Sequence, residues 1–101
     1  MNVTELEVGK CYHVNSIFGI CLFRLDKFID YEDKDEENPY WKHVKAKSIC
    51  IAKNRIEVNK TNYIPVDAEY REVDESLLDK AIKQFNMNKA VILATINQGS
   101  I

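Results

Sequence analysis

The sequence predicts a strand-rich α+β domain: a small, partly open β-barrel of the SH3 or OB sort, about five short strands, then one amphipathic helix and a C-terminal apolar strand. Three observations carry this expectation. Short runs rich in β-branched and aromatic residues recur between turn signals over residues 10–66. A single stripe at helical spacing follows at about 74–86. The run after it, Lys89-Ala90-Val91-Ile92-Leu93-Ala94-Thr95-Ile96, is apolar on every side. A two-layer sheet with one covering helix is the alternative architecture.

The first strand is read at 10–16, where Gly9 marks a turn and Tyr12 and Val14 alternate with Cys11 and His13. The second, about 19–29, opens at Gly19 and carries Ile20-Cys21-Leu22-Phe23-Arg24-Leu25, apolar on both faces at first and so expected to be buried on both. The link from Ser16 to Gly19 is short enough for a hairpin.

Residues 30–39 form the most loop-like stretch, with seven of ten positions charged and Pro39 ending it. The third strand follows at 40–51. Lys42, Val44, Ala46, Ser48 and Cys50 share one face, and Trp41, His43, Lys45, Lys47, Ile49 and Ile51 the other. Its apolar side changes near Lys47 and Ser48, as a bulge or a bend within this strand would allow. Arg55-Ile56-Glu57-Val58 alternates cleanly, and Tyr63-Ile64-Pro65-Val66 is confined by its proline to an edge or strand end.

The helix begins at Asp74, a good N-cap, with Val73 placed to staple onto Leu78. Leu77, Leu78, Ala81, Ile82 and Phe85 form its apolar stripe, and Asn86 or Asn88 stops it. For 89–96 the β-branched residues favour a strand, with a core helix as the alternative.

Length and composition bound the rest. The 101 residues fit one domain, 1–101, with 46% hydrophobic and 30% charged residues. No apolar run reaches the roughly 18 residues of a membrane span, and the first residues lack a basic start and apolar signal core. Export and membrane insertion are therefore not expected. The three cysteines, Cys11, Cys21 and Cys50, are odd in number and lack a C-x-x-C pair. They read as reduced thiols, and the expected location is the cytoplasm.

Net charge is −2, which gives no overall footprint for nucleic acid. Charge is nonetheless polarised along the chain. Acidic residues dominate 26–37 and basic residues dominate 42–60.

Catalysis and metal binding find little support. Cys11 and His13 share a strand face, and Cys21, Cys50 and His43 complete a set on paper, but no zinc spacing is present. Each cysteine lies within an apolar strand, where a thiolate is disfavoured. The acidic stretch, starting at Asp33-Lys34-Asp35, lacks the glycine and the flanking helices of an EF-hand loop. Neither a P-loop nor G-x-G-x-x-G occurs. No catalytic residue, metal or cofactor is assigned.

The leading expectation is a non-enzymatic binding protein that contacts another protein. Its expected site is the acidic loop with its bracketing aromatics: Tyr31, Asp33, Asp35, Glu36, Glu37, Tyr40 and Trp41. Size and composition suit an accessory or inhibitory protein of a phage or mobile element. The alternative is binding of nucleic acid or a nucleotide through a basic strand face over 42–55, using Lys42, His43, Lys45, Lys47 and Arg55 beside Trp41. The competing explanation for those lysines is an exposed strand coated against edge aggregation. A homodimer through 90–96 is a further expectation, should that apolar stretch be an unpaired strand.

Overall fold

A computed structural model of the chain describes residues 1–17, 19–29, 40–53 and 55–100. The strands are β1 (Cys11–Ser16), β2 (Gly19–Phe28), β3 (Trp41–Ala52), β4 (Arg55–Val58), β5 (Tyr63–Pro65) and β6 (Tyr70–Val73). Two helices follow, α1 (Glu75–Lys83) and α2 (Lys89–Asn97), and short 3-10 turns stand at Val3–Glu5 and Gln98–Ser100. The architecture is α+β: one antiparallel sheet of six strands, in the order β4-β3-β2-β1-β6 with β5 also on β3, and two helices. The sheet is not closed into a barrel, since its two ends do not pair.

β1 and β2 form a tight hairpin in which Ser16 faces Gly19. Gly19 has φ +127°, and a β-carbon there would collide with the carbonyl oxygen of Ile51. Glycine is therefore required by both conformation and space. β2 and β3 pair from Ile20–Ile51 to Phe28–Val44, with one irregularity between Leu25 and Lys27. The bulge thus falls in β2, at Asp26, and not in β3 as the sequence pattern suggested. β3 runs unbroken over twelve residues. Its apolar pattern changes because the far half, with Ser48 and Ile49, is covered on both faces, whereas near Val44 only one face is covered and Lys45 is exposed.

β4 and β5 lie one after the other along the same edge of β3. Asn59 separates them. Its φ of +57° is a left-handed conformation that asparagine tolerates. Its backbone N–H donates to the Ser48 carbonyl at 2.8 Å, and its side-chain oxygen accepts from the Ser48 N–H at 3.0 Å.

The register shows that the sheet is strongly coiled. Pro65 sits opposite Trp41, whereas Tyr70 is level with Cys50 through Val14 and Cys21. On a flat sheet these two ends of the β5–β6 link would lie roughly 30 Å apart along the strands alone. The link from Pro65 to Tyr70 reaches at most roughly 18 Å. Only a sheet curled onto one face lets it close, and the Tyr70 hydroxyl donates to the Pro65 carbonyl across that fold.

Both faces are consequently packed. On the concave side Tyr12, Val14, Phe23, Leu25, Val44, Ile64 and Tyr70 form one cluster, and Val3 and Leu6 of the N-terminal segment plug one end. On the convex side Cys11, Leu22, Ile49 and Ile51 meet Leu78 and Ala81 of α1 and Ile92 and Ile96 of α2.

The expected helix is present, with Asp74 as N-cap accepting from the Ser76 N–H at 2.9 Å. It ends at Lys83, before either asparagine, so Phe85 lies outside it and is 46% exposed. Two further differences stand out. β6 was not expected. It is four residues long, its Arg71 and Glu72 are exposed, and it gives no apolar alternation to read. Residues 89–96 are helical rather than a strand. Asn88 caps α2 through the Ala90 N–H at 2.7 Å, and Ile92, Thr95 and Ile96 are buried. Thr95 donates its hydroxyl to Gln84 at 2.6 Å and also lies 3.2 Å from the Val91 carbonyl one turn back, which suits a β-branched residue to a helix.

Candidate functional site

The aromatic end of the sheet is built where β3 begins and β5 runs beside it. Register pairs His43 with Tyr63 and Trp41 with Pro65. Side chains at 41, 43 and 63 therefore share a face. Trp41 and Tyr63 stack with ring centroids 5.1 Å apart and planes at 30°, and His43 meets Tyr63 edge-on at 5.9 Å. Tyr40 is 73% exposed and Tyr63 is 47% exposed. Proline at 65 fits this edge, because no further strand among the described residues requires its missing N–H. The acidic stretch 30–39 leads directly into Tyr40. Its candidate residues Tyr31, Asp33, Asp35, Glu36 and Glu37 lie outside the described residues, so of the expected protein-binding set only Tyr40 and Trp41 are placed. Tyr63 was missed by sequence reading. It lies more than twenty positions away, and only strand pairing brings it to Trp41.

The basic candidates are dispersed. Lys45 and Lys47 alternate with His43 on one side of β3, whereas Lys42 points to the other and stands 5.6 Å from the centre of the Phe28 ring. Lys47 is paired with Asp79 of α1 at 2.9 Å. Arg55 lies at the far end of β3, opposite Ala52, with its guanidinium 3.6 Å from Glu57. Lys45 and Lys47 instead share an open groove of about 680 Å³ with Arg24 and Lys27. Arg24 is held by Asp26 at 2.9 Å and Glu75 at 2.8 Å.

The sheet separates Cys11 and His13 from Cys21 and Cys50. Cys11 and His13 are buried on the helix-covered face. Burial, with Glu75 nearby, pushes the Cys11 thiol up to about 11, so it is a protonated core thiol at neutral pH. Cys21 and Cys50 face each other across β2 and β3 on the concave side and form a disulfide. This corrects the reading of three reduced thiols. The odd count leaves Cys11 alone, while pairing of the other two depended on a register the spacing did not reveal. The His13 Nε2 is buried without a hydrogen-bond partner among the described residues. Burial, and then Arg71 across the strand pair, lowers its proton affinity. Among the described residues no group of three or more His, Cys, Asp or Glu side chains is arranged to hold a metal ion. Among them, too, no helix is long and apolar enough to cross a membrane.

Comparison with protein-family models found no match, and neither did comparison with curated proteins or with solved structures.

Proposed function

We propose that this chain is a non-enzymatic binding domain that docks a protein partner through its aromatic end. The observation that carries the reading is the stacked Trp41–Tyr63 pair, with the exposed Tyr40 immediately before Trp41 in the chain. Tyrosine and tryptophan dominate binding hot spots because they offer large contact area with few rotatable bonds. A pre-stacked pair has already lost part of that freedom, so less is lost on docking. The carboxylates of Asp33, Asp35, Glu36 and Glu37 immediately precede this cluster in the chain. In the proposal they face a basic partner surface and speed encounter. An accessory or inhibitory role of the kind phages and mobile elements encode is the biological form of this proposal, and it rests on size and composition. A cytoplasmic setting belongs to the same proposal, although the Cys21–Cys50 disulfide withdraws the thiol argument for it. The SH3-like or OB-like description of the fold is likewise proposed, supported by the coiling of the sheet.

The test is capture by the tagged protein from lysate of the cells that make it, with and without nuclease, comparing wild type with the Trp41→Ala/Tyr63→Ala double variant. A stoichiometric protein that survives nuclease and is lost with the double variant is the expected result. Retention by the double variant, with equal recovery, overturns the aromatic site. Charge reversal at Asp33, Asp35, Glu36 and Glu37 should weaken capture mainly at low salt.

The second reading is nucleic-acid or nucleotide binding. It is favoured by the groove that gathers Arg24, Lys27, Lys45 and Lys47, and opposed by the carboxylates already bonded to Arg24 and Lys47. Recovery that vanishes with nuclease, and binding whose affinity falls steeply with salt, would move the function to that groove. A homodimer through 90–96 would have to use exposed side chains such as Val91 with Met87 and Phe85, because α2 offers no strand edge.

A further inference from the structure

The N-terminal segment plugs only one end of the concave face. At the other end, beside the β1–β2 and β3–β4 hairpins, a pocket of about 480 Å³ remains, and the Cys21–Cys50 disulfide forms part of its wall. The two sulfurs are unequally placed. Cys21 is buried, at 7% exposure, whereas Cys50 is half-buried. The Thr61 hydroxyl, from the link between β4 and β5, lies 3.2 Å from the Cys50 sulfur and 3.8 Å from that of Cys21. Exposed Lys53, Arg55 and Lys60 line the same pocket with one carboxylate among the described residues, Glu57. Cys11 lies on the opposite face of the sheet and takes no part.

We propose that Cys21–Cys50 is a redox-active site, reduced in the folded protein by a dithiol that enters this pocket and re-formed by a small disulfide. A sulfur bonded to sulfur is a weak hydrogen-bond acceptor, whereas a thiolate is a strong one. The Thr61 hydroxyl and the three cations therefore stabilise the reduced pair more than the oxidised one, and a stabilised reduced form makes a disulfide readily reducible. A thiolate of the dithiol attacks the more accessible Cys50 sulfur. The Cys21–Cys50 bond breaks as the new bond forms, and Cys21 leaves with the electron pair and takes a proton from solvent. The second thiol of the reductant, once deprotonated, attacks the reductant's own sulfur in the mixed disulfide. This closes a cyclic disulfide and releases Cys50 as a thiolate facing the Thr61 hydroxyl. Two electrons pass from the dithiol to the cysteine pair. Reversal requires the reduced sulfurs to stay together. The ladder secures this, because Ile20–Ile51 and Leu22–Ile49 pair on either side and hold the two cysteines opposite without the bond. Disulfides in reducing compartments are mostly transient ones of this kind, which reconciles the bond with the cytoplasmic setting proposed above. Tyr63 lines this pocket and also belongs to the aromatic end, so the experiment uses the free protein, where no docking partner enters.

The test equilibrates the oxidised protein with mixtures of reduced and oxidised dithiothreitol at about pH 8, near the ordinary thiol range. Samples are quenched, labelled with N-ethylmaleimide in denaturant and mapped by mass spectrometry. Without reductant only Cys11 should be labelled. With it Cys21 and Cys50 should be labelled as well, while amide NMR shows the sheet intact, and the reduction rate should rise in proportion to dithiol concentration. Oxidised dithiothreitol should then restore the bond. Thr61→Val should move the equilibrium roughly tenfold toward the disulfide, the scale of a hydrogen bond to a charged group. Arg55→Glu/Lys60→Glu, which alters exposed side chains only, should move it the same way by roughly fivefold. A reduction rate that levels off with dithiol concentration, as it does when the chain must unfold first, overturns the proposal. That measurement is made on the unaltered chain and decides the matter however the variants fold. Failure of the bond to re-form, or an equilibrium unmoved by Thr61→Val, overturns it as well.

Discussion

The two faces of the coiled sheet are built from alternate residues of the same strands, yet they end in different states. The convex face is sealed where the helices lie on it: Leu22, Ile49 and Ile51 are covered by Leu78, Ala81, Ile92 and Ile96. The concave face covers itself by curling, with help from Val3 and Leu6 at one end. A curled sheet closes over its own centre but cannot fill its mouth, and that is where the pocket lies. Helices can be fitted over a surface after the sheet forms, whereas curvature is fixed by register, bulge and linker length. The lesson is that each side keeps an opening where nothing lies over it: the mouth of the concave face, and the groove beside Lys45 and Lys47.

Neighbouring residues provide the most direct test of this comparison. Phe23 and Leu22 are both fully buried but point to opposite faces. Phe23→Ala should destabilise by about 3–5 kcal/mol and Leu22→Ala by about 2–5 kcal/mol, measured by urea unfolding. A loss under about 1 kcal/mol at either site would mean that its face is not a packed core. The next effect is the cross-link on the concave side. Cys21 and Cys50 are 29 residues apart, and closing a loop of that size contributes about 3.6 kcal/mol in the chain-entropy account. Thermal melts with and without reductant should differ accordingly, and the Cys21→Ser/Cys50→Ser variant should lose this dependence. Identical melts would restore the thiol reading.

A smaller effect is expected on the convex side. Asn88→Ala removes the cap of α2 and should cost about 1 kcal/mol, with the first turn of that helix losing amide protection. The smallest is read as a slope. Burial holds the His13 proton affinity below its ordinary value of 6.5. As pH falls through that value the unfolded chain takes up a proton before the folded chain does, so stability should be full above it and decline below it. His13→Gln should flatten the decline. An unchanged slope would assign acid sensitivity to other groups.

Residue chemistry alone located much of the architecture. β1, β2, β4 and β5 fall where alternation and turn residues put them, and α1 begins at the cap that Asp74 supplies. These are local signals: a period of two or of 3.6, a side chain that bonds the next backbone N–H, a glycine that turns the chain. Where the signal was not local, reading failed or fell short. The α2 segment is apolar all round, so it carries no period, and its β-branched residues pull toward strand. The need to cover Leu22, Ile49 and Ile51 made it a helix, because a helix seals that face while satisfying its own backbone. β6 exists because the edge of β1 was available to it.

The candidate site divides in the same way. The sequence by itself determined a strand-rich chain with one capped amphipathic helix, polarised charge and aromatics at 40 and 41, because each of these depends on residues near one another in the chain. Only the tertiary structure decided that Tyr63 stacks on Trp41, that Cys21 faces Cys50, that Lys42 and Arg55 leave the company of Lys45 and Lys47, and that a pocket remains at the open mouth. Each of these follows from strand register and sheet coiling, which arise from the packing of the whole chain and leave no mark at any single position.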